Sequence, residues 1–261
     1  MYEMSCYRTE ILEFDNPTFK TISTTYVLSM EGSKRRTNYM KQLQAFRPTS
    51  KVVILHNKGF IKCKKPDWVK NSADDLFHAN LYALEEHFSK HTNPILILED
   101  DAEFLNNFFD NSSEIEEFIS RNDVDLYSLG SIPFVSIPIN SKHVRMYLGC
   151  ISHAWIYTLS GAHKTKKIKL STTHDFEVVK RLKTYIGTKP CAIQKFEKTD
   201  NSAVWDFCGI VLKYNQFFGR QLLPIHHTIG FCGGLIVFVV IICIAVVAIS
   251  HTICNFKSRI D

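Results

Sequence analysis

From Thr228 to Ser250 the chain reads TIGFCGGLIVFVVIICIAVVAIS, 23 residues without one charge, and this run constrains everything around it. At about 1.5 Å of rise per residue it is long enough to cross a bilayer core. A buried helix of a globular core is the other way to hide apolar residues. Such helices are shorter and keep a polar face, whereas this segment is apolar all round. The pattern predicts a transmembrane helix over 228–253 and a short tail over 254–261. The N-terminal MYEMSCYRTEILEFDNP has no basic stretch followed by an apolar one, so no cleaved leader is expected and the chain reads as tail-anchored, single-pass, with its large domain in the cytosol. Lys213 and Arg220 precede the span and Lys257 and Arg259 follow it, so flanking charge does not choose the orientation. Gly230 and Gly234 stand at GxxxG spacing, which lets two membrane helices approach closely and makes them candidates for a homodimer contact.

The residues ahead of the span, up to about position 225, suffice for one α/β domain. With 45% hydrophobic and 22% charged residues the chain is neither disordered nor wholly membrane-embedded. The formal charge of +5 is clustered, most densely at Lys164, Lys166, Lys167 and Lys169. Such a cluster attracts polyanions such as sulfated glycans, or is simply a solvated face; a specific nucleic-acid partner is not expected. Three of the eight cysteines accompany the apolar run, leaving Cys6, Cys63, Cys150, Cys191 and Cys208. The odd count and the lack of CxxC or zinc-type spacing point to reduced thiols rather than to a disulfide framework or a structural metal.

Segments alternate between strand and helix patterns from Thr24 to about residue 205, after an N-terminal extension over 1–23. TTYVLSM (Thr24 to Met30) and KVVILH (Lys51 to His56) read as strands. A helix from Lys34 to Phe46 is expected, with Ser33 as its cap, and another from Ser72 to Lys90, capped by Ser72. Further helices are expected near Ser113 to Arg121 and Phe176 to Tyr185. Strands are expected near Val124 to Leu129, Val144 to Leu148 and Ala154 to Leu159, with a proline-rich loop after Leu129. This alternation implies a mainly parallel sheet with its ligand site at the strand C-termini.

ILILEDD, Ile95 to Asp101, is too short and too apolar for anything but a strand buried on both faces, and it ends in three carboxylates. In extended chain Glu99 and Asp101 face the same way and can share a hard divalent cation, while Asp100 faces away or bonds a neighbouring loop. Mg²⁺ or Mn²⁺ held there would bridge to the pyrophosphate of a nucleotide diphosphate and neutralise it as a leaving group. A solvated strand end or helix cap accounts for the same spacing.

The order of these segments resembles glycosyltransferase family 25. YVLSMEGSKRR (Tyr26 to Arg36) is similar to that family's NLxRRxxR element, LFHANLYAL with His78 to its Ser-His helix, and LILEDDAEF (Leu96 to Phe104) to its LEDD strand. YSLGS (Tyr127 to Ser131) and HAWIYTLSGA (His153 to Ala162) match two later elements, and His174-Asp175 reverses its Asp-His pair. Phe77 replaces the serine of Ser-His, and Ser33 and Lys34 stand where arginines are usual. The resemblance implies a GT-A-like, Rossmann-like nucleotide-sugar-binding domain over 24–225. It implies Mn²⁺ or Mg²⁺ at Glu99 and Asp101 and a UDP-sugar donor contacted by Tyr26, Leu28, Arg36 and Asp100. Catalysis would involve Asp175 and Asp101, with a glycan or protein hydroxyl as acceptor. His153 would line the site or be an ordinary core histidine.

A glycosyltransferase-like domain ahead of a C-terminal span is also similar to the heparan-sulfate-binding envelope proteins of poxviruses. That resemblance implies a second expectation: a domain without turnover, displayed on a virion surface and holding glycosaminoglycan through Lys164, Lys166, Lys167 and Lys169.

Overall fold

The computed structural model describes residues 6–150 and 152–195. The run from Thr228 to Ser250 and the Gly230 and Gly234 pair lie outside them. Among the described residues no helix is long and apolar enough to cross a membrane.

The elements in chain order are β1 (Tyr7–Glu13), β2 (Thr24–Met30), α1 (Arg36–Phe46), β3 (Lys51–Asn57), α2 (Ser72–Phe88), β4 (Ile95–Glu99), β5 (Ala102–Phe104), α3 (Asn107–Arg121), β6 (Leu126–Ser128), β7 (Ile132–Pro138), β8 (His143–Cys150), β9 (Ala154–Tyr157), α4 (Leu159–Thr165), α5 (His174–Arg181), β10 (Thr184–Gly187) and β11 (Ala192–Gln194). Nine strands form one sheet in the order β1-β3-β2-β4-β9-β6-β10-β8-β7, and β11 pairs with β5 in a small second sheet. β2 runs parallel to both β3 and β4, and β10 is parallel to β6. The other pairings of the large sheet are antiparallel, because β9 enters between β4 and β6 in the reverse direction and β1 and β7 close the edges. The sheet is therefore mixed, with the parallel arrangement confined to β3-β2-β4 and β6-β10. Residues 7–13, inside the expected extension, are its antiparallel edge strand.

The period-two alternation of β2, β3, β4 and β9 sorts their side chains to two faces. Tyr26, Leu28, Val53, Leu55, Ile95, Ile97, Trp155 and Tyr157 pack on one side with Phe77, Ala83 and Leu84 of α2, Ala162 of α4 and Val178 of α5. Val27, Val52, Ile54, Leu96, Leu98 and Ile156 pack on the other with Tyr39, Leu43 and Phe46 of α1 and Phe108, Ile115 and Phe118 of α3. Leu55 and Leu96 are 0% exposed, so truncating either to Ala should cost about 2–5 kcal/mol.

Local signals explain most boundaries and several departures. Asn71, one residue ahead of the expected Ser72, caps α2: its Oδ1 accepts from the amides of Ala73 and Asp74 at 2.9 Å each. α1 ends where Arg47 takes a left-handed conformation (φ 40°) and its amide donates to the Leu43 carbonyl, after which Pro48 prevents continuation. The proline-rich segment is a strand, not a loop. Pro133 and Pro138 lack an N–H, which is tolerable in β7 because it is an edge strand with register shifts. The helix expected to Tyr185 stops at Arg181, and Thr184–Gly187 becomes β10.

A disulfide joins Cys6 to Cys63 across 57 residues of sequence, with Cα atoms 5.5 Å apart, which corrects the expectation of reduced thiols. β1 brings Cys6 alongside the end of β3, where the following loop carries Cys63. No spacing rule links two cysteines that tertiary contact alone makes neighbours.

Candidate acidic site at the end of strand β4

β4 delivers Glu99 to the C-terminal edge of the parallel segment, and Asp100 and Asp101 form the turn that follows. The Glu99 amide donates to the His153 carbonyl at 2.9 Å and Ser152 Oγ donates to Glu99 Oε1 at 2.6 Å, so the approach to β9 fixes this carboxylate. Burial first, and then repulsion from Asp101, raise the Glu99 pKa; the Ser152 hydrogen bond opposes them, and Asp175 adds to the rise.

Asp100 is saturated. Ser29 Oγ and Ser33 Oγ donate to its Oδ2 at 2.9 and 2.7 Å, and Arg35 Nη1 donates to its Oδ1 at 2.7 Å. It is the carboxylate that bonds the neighbouring loop, one of the two roles expected of it. Asp101 is 6% exposed. Gln194 Nε2 donates to its Oδ2 at 3.1 Å and Arg35 Nη1 lies 3.8 Å from that oxygen, but Oδ1 is buried with no hydrogen-bond partner in another residue. Burial raises the Asp101 pKa, with the Arg35 charge and the Gln194 hydrogen bond pulling it back down.

The remaining candidates divide. Asp175, second residue of α5, is close enough to repel the Glu99 charge, and its Oδ1 accepts from the Phe176 amide at 3.1 Å. Arg36 is turned away: its Nη1 and Nη2 donate to Glu10 on β1 at 2.9 and 2.7 Å, a bidentate surface pair. Tyr26 and Leu28 are core residues, and the Tyr26 hydroxyl donates to Glu86 of α2. His153 is 1% exposed. Burial takes its pKa down to about 4, against a smaller opposing pull from a hydrogen bond with the Ala192 backbone. Its place is fixed by Gly130, where an added Cβ would lie 2.7 Å from His153 Nε2 and 2.0 Å from the Ala192 carbonyl oxygen.

Lys164 Nζ donates to both carboxylate oxygens of the fully buried Asp125, at 2.8 and 2.6 Å, while Lys166, Lys167 and Lys169 are exposed. Because Tyr157 pairs with Ile95, the α4 segment begins at the sheet edge opposite the acidic site. Sequence reasoning missed Arg35, Ser29, Ser152 and Gln194. Ser29 lies within a segment it recognised and Ser152 adjoins another, but nothing local marks which hydroxyl reaches a carboxylate.

Among the described residues no group of three His, Cys, Asp or Glu side chains is arranged to hold a metal ion alone. A hard cation here would rest on the half-buried Glu99, whose charge Asp101 repels, and on the buried Asp101, which has an oxygen without a partner in another residue, and would take its other ligands from a bound anion and water.

Fold and site together define a mixed α/β domain, helices on both faces of one large sheet, with an acidic site where its central parallel segment ends. No family model and no curated protein matches the chain. Among solved structures it is similar to the crystal structure of A197 from STIV, at 13% identity and a TM-score of 0.40, over 69% of this chain and 87% of that one.

Proposed function

We propose that this domain binds a nucleotide sugar at the end of β4 and transfers the sugar to a hydroxyl acceptor, acting as a membrane-tethered glycosyltransferase anchored through 228–253. The observation that carries the reading is the state of Glu99 and Asp101. Both are raised in pKa, by burial first and then by charges of their own sign, although Arg35 pulls Asp101 back down, and Asp101 Oδ1 has no partner in another residue, so negative charge in the site is only partly offset. Glu99 and Asp101 would hold Mn²⁺ or Mg²⁺, which supplies charge neutralisation of the departing nucleotide diphosphate. Ser152 orients Glu99, and Gln194 orients Asp101. Asp100 locks the turn before α1 through Ser29, Ser33 and Arg35. Asp175, near enough to Glu99 to repel its charge, would orient the acceptor hydroxyl and take its proton.

The glycosaminoglycan-binding reading has less support. One of its four lysines, Lys164, is committed to Asp125, which leaves Lys166, Lys167 and Lys169 as an exposed basic patch.

Calorimetry on the detergent-solubilised chain tests the proposal. UDP binding should strengthen when Mn²⁺ is added, and Asp101→Asn and Glu99→Gln should each remove most of that gain while the fold persists. No UDP binding at millimolar nucleotide and Mn²⁺, with retention on heparin that Lys166, Lys167 and Lys169 to Ala abolish, would replace the enzyme with a glycan-binding protein.

A further inference from the structure

Arg35 stands immediately before α1, after the turn whose Gly32 has φ 78°. With Asn38, Gln42, Asp100, Asp101 and Lys195 it lines a depression at the acidic site, and its side chain is 17% exposed. Nη1 lies 2.7 Å from Asp100 Oδ1 and 3.8 Å from Asp101 Oδ2. Asp100 also receives two serine hydroxyls, whereas Asp101 has an oxygen without a partner in another residue. The guanidinium is thus an internal positive charge bonded to Asp100 and close enough to Asp101 to offset part of its charge, while Glu99 has no ion-pair partner among the described residues.

We propose that Arg35 is a built-in counter-cation of this site. In the ligand-free domain its charge offsets Asp101; a divalent cation entering between Glu99 and Asp101 must compete with it, and the displaced guanidinium then faces the diphosphate of the donor. Arg35 is a donor-binding residue here, and the inference rests on the nucleotide-sugar reading. The physical reason is repulsion. A guanidinium about 4 Å from a cation ligand opposes binding of a second positive charge, and its planar fork of donors matches phosphate oxygens. The two halves of the role carry opposite signs, which a structural role cannot reproduce.

Mn²⁺ alone, and then UDP at saturating Mn²⁺, are titrated into the solubilised full-length chain and its Arg35→Gln and Arg35→Lys variants. Arg35→Gln should bind Mn²⁺ about tenfold more tightly than wild type and UDP about tenfold more weakly, with Arg35→Lys between them. Equal or weaker Mn²⁺ binding by Arg35→Gln, where wild type does bind Mn²⁺, overturns the inference and leaves the cation site standing. Absence of Mn²⁺ binding in both, with and without UDP, removes the nucleotide-sugar reading and this inference with it. Should Arg35→Gln fail to fold, wild-type protein suffices. The reactivity of Arg35 toward an arginine-selective dicarbonyl, followed by peptide mass spectrometry, should rise with Mn²⁺ alone and fall when UDP is added. Reactivity unchanged by Mn²⁺ overturns the proposal.

Discussion

Lys65 and Asp75 form an ion pair whose side chains are 1% and 5% exposed. Lys65 comes from the loop between β3 and α2, and Asp75 lies in the first turn of α2, where the helix dipole favours a carboxylate. Lys65 Nζ also donates to Asn57 Oδ1 at 2.7 Å and lies 4.6 Å from the centre of the Tyr7 ring. The other Asp75 oxygen accepts from Asn57 Nδ2 and the Phe60 amide at 3.1 Å each. This pair and the Cys6–Cys63 disulfide pin the loop to the sheet edge that carries the acidic site.

Breaking the pair from one side should be expensive, because it strands a buried charge. Lys65→Met is expected to lower unfolding free energy by about 3–5 kcal/mol, and Lys65→Met with Asp75→Leu to recover most of that loss. Urea unfolding of the three proteins measures both. A loss under about 1 kcal/mol in the single variant would show that water reaches the pair.

The disulfide closes a loop of 57 residues, so Cys6→Ser with Cys63→Ser should cost about 2–4 kcal/mol. Reduction of wild type should lower its urea midpoint to that of the variant. If the variant matches oxidised wild type, the bond adds nothing to folding. Alkylation before and after reduction, read by peptide mass spectrometry, counts the two thiols released.

Acid should destabilise the domain through its histidines. Burial lowers the pKa values of His78, His87, His143, His153 and His174, to about 4 for His78 and His153. A lowered folded value means that the unfolded chain takes the proton more readily, so stability is lost as pH falls from about 6.5 toward 4. Glu99 and Asp101 act oppositely. Their raised values stabilise the fold at low pH, and that contribution is lost as pH rises through them. Five histidines outweigh two carboxylates, so the urea midpoint should fall from pH 7 to pH 5. Glu99→Gln should steepen that fall and raise the midpoint at pH 7. A flat wild-type profile would contradict this balance.

Lys164 should behave as a structural residue. Its partner Asp125 is fully buried and accepts from Ser160 Oγ at 2.7 Å and the Lys183 amide at 2.9 Å as well, but the lysine side chain is 43% exposed, so solvent screens the pair. Lys164→Ala should therefore cost about 1 kcal/mol, while Lys166→Ala and Lys167→Ala stay near wild type. Equal thermal shifts for all three would deny the distinction.

Much of the central sheet and the location of the acidic site were legible in the chain because strands buried on both faces leave unbroken apolar runs. VVIL and ILIL are such runs, and three carboxylates directly after one must emerge at a sheet edge. Which neighbours meet those carboxylates was not legible. One step along a helix start turns a side chain by about 100°, so choosing between Arg35 and Arg36 required knowing that β1 presents Glu10 to one and the β4 turn presents Asp100 to the other. Tyr26 and Leu28 lie on a strand that does lead to the site, but the pleat sends them into the α2 face, and only Ser29 reaches Asp100. The reversed entry of β9, which brings Ser152 and His153 against Glu99, and the closure of Cys6 on Cys63 are contacts between distant segments. Local sequence determines which residues are apolar, extended or charged; which of them become neighbours is decided by how the whole sheet assembles.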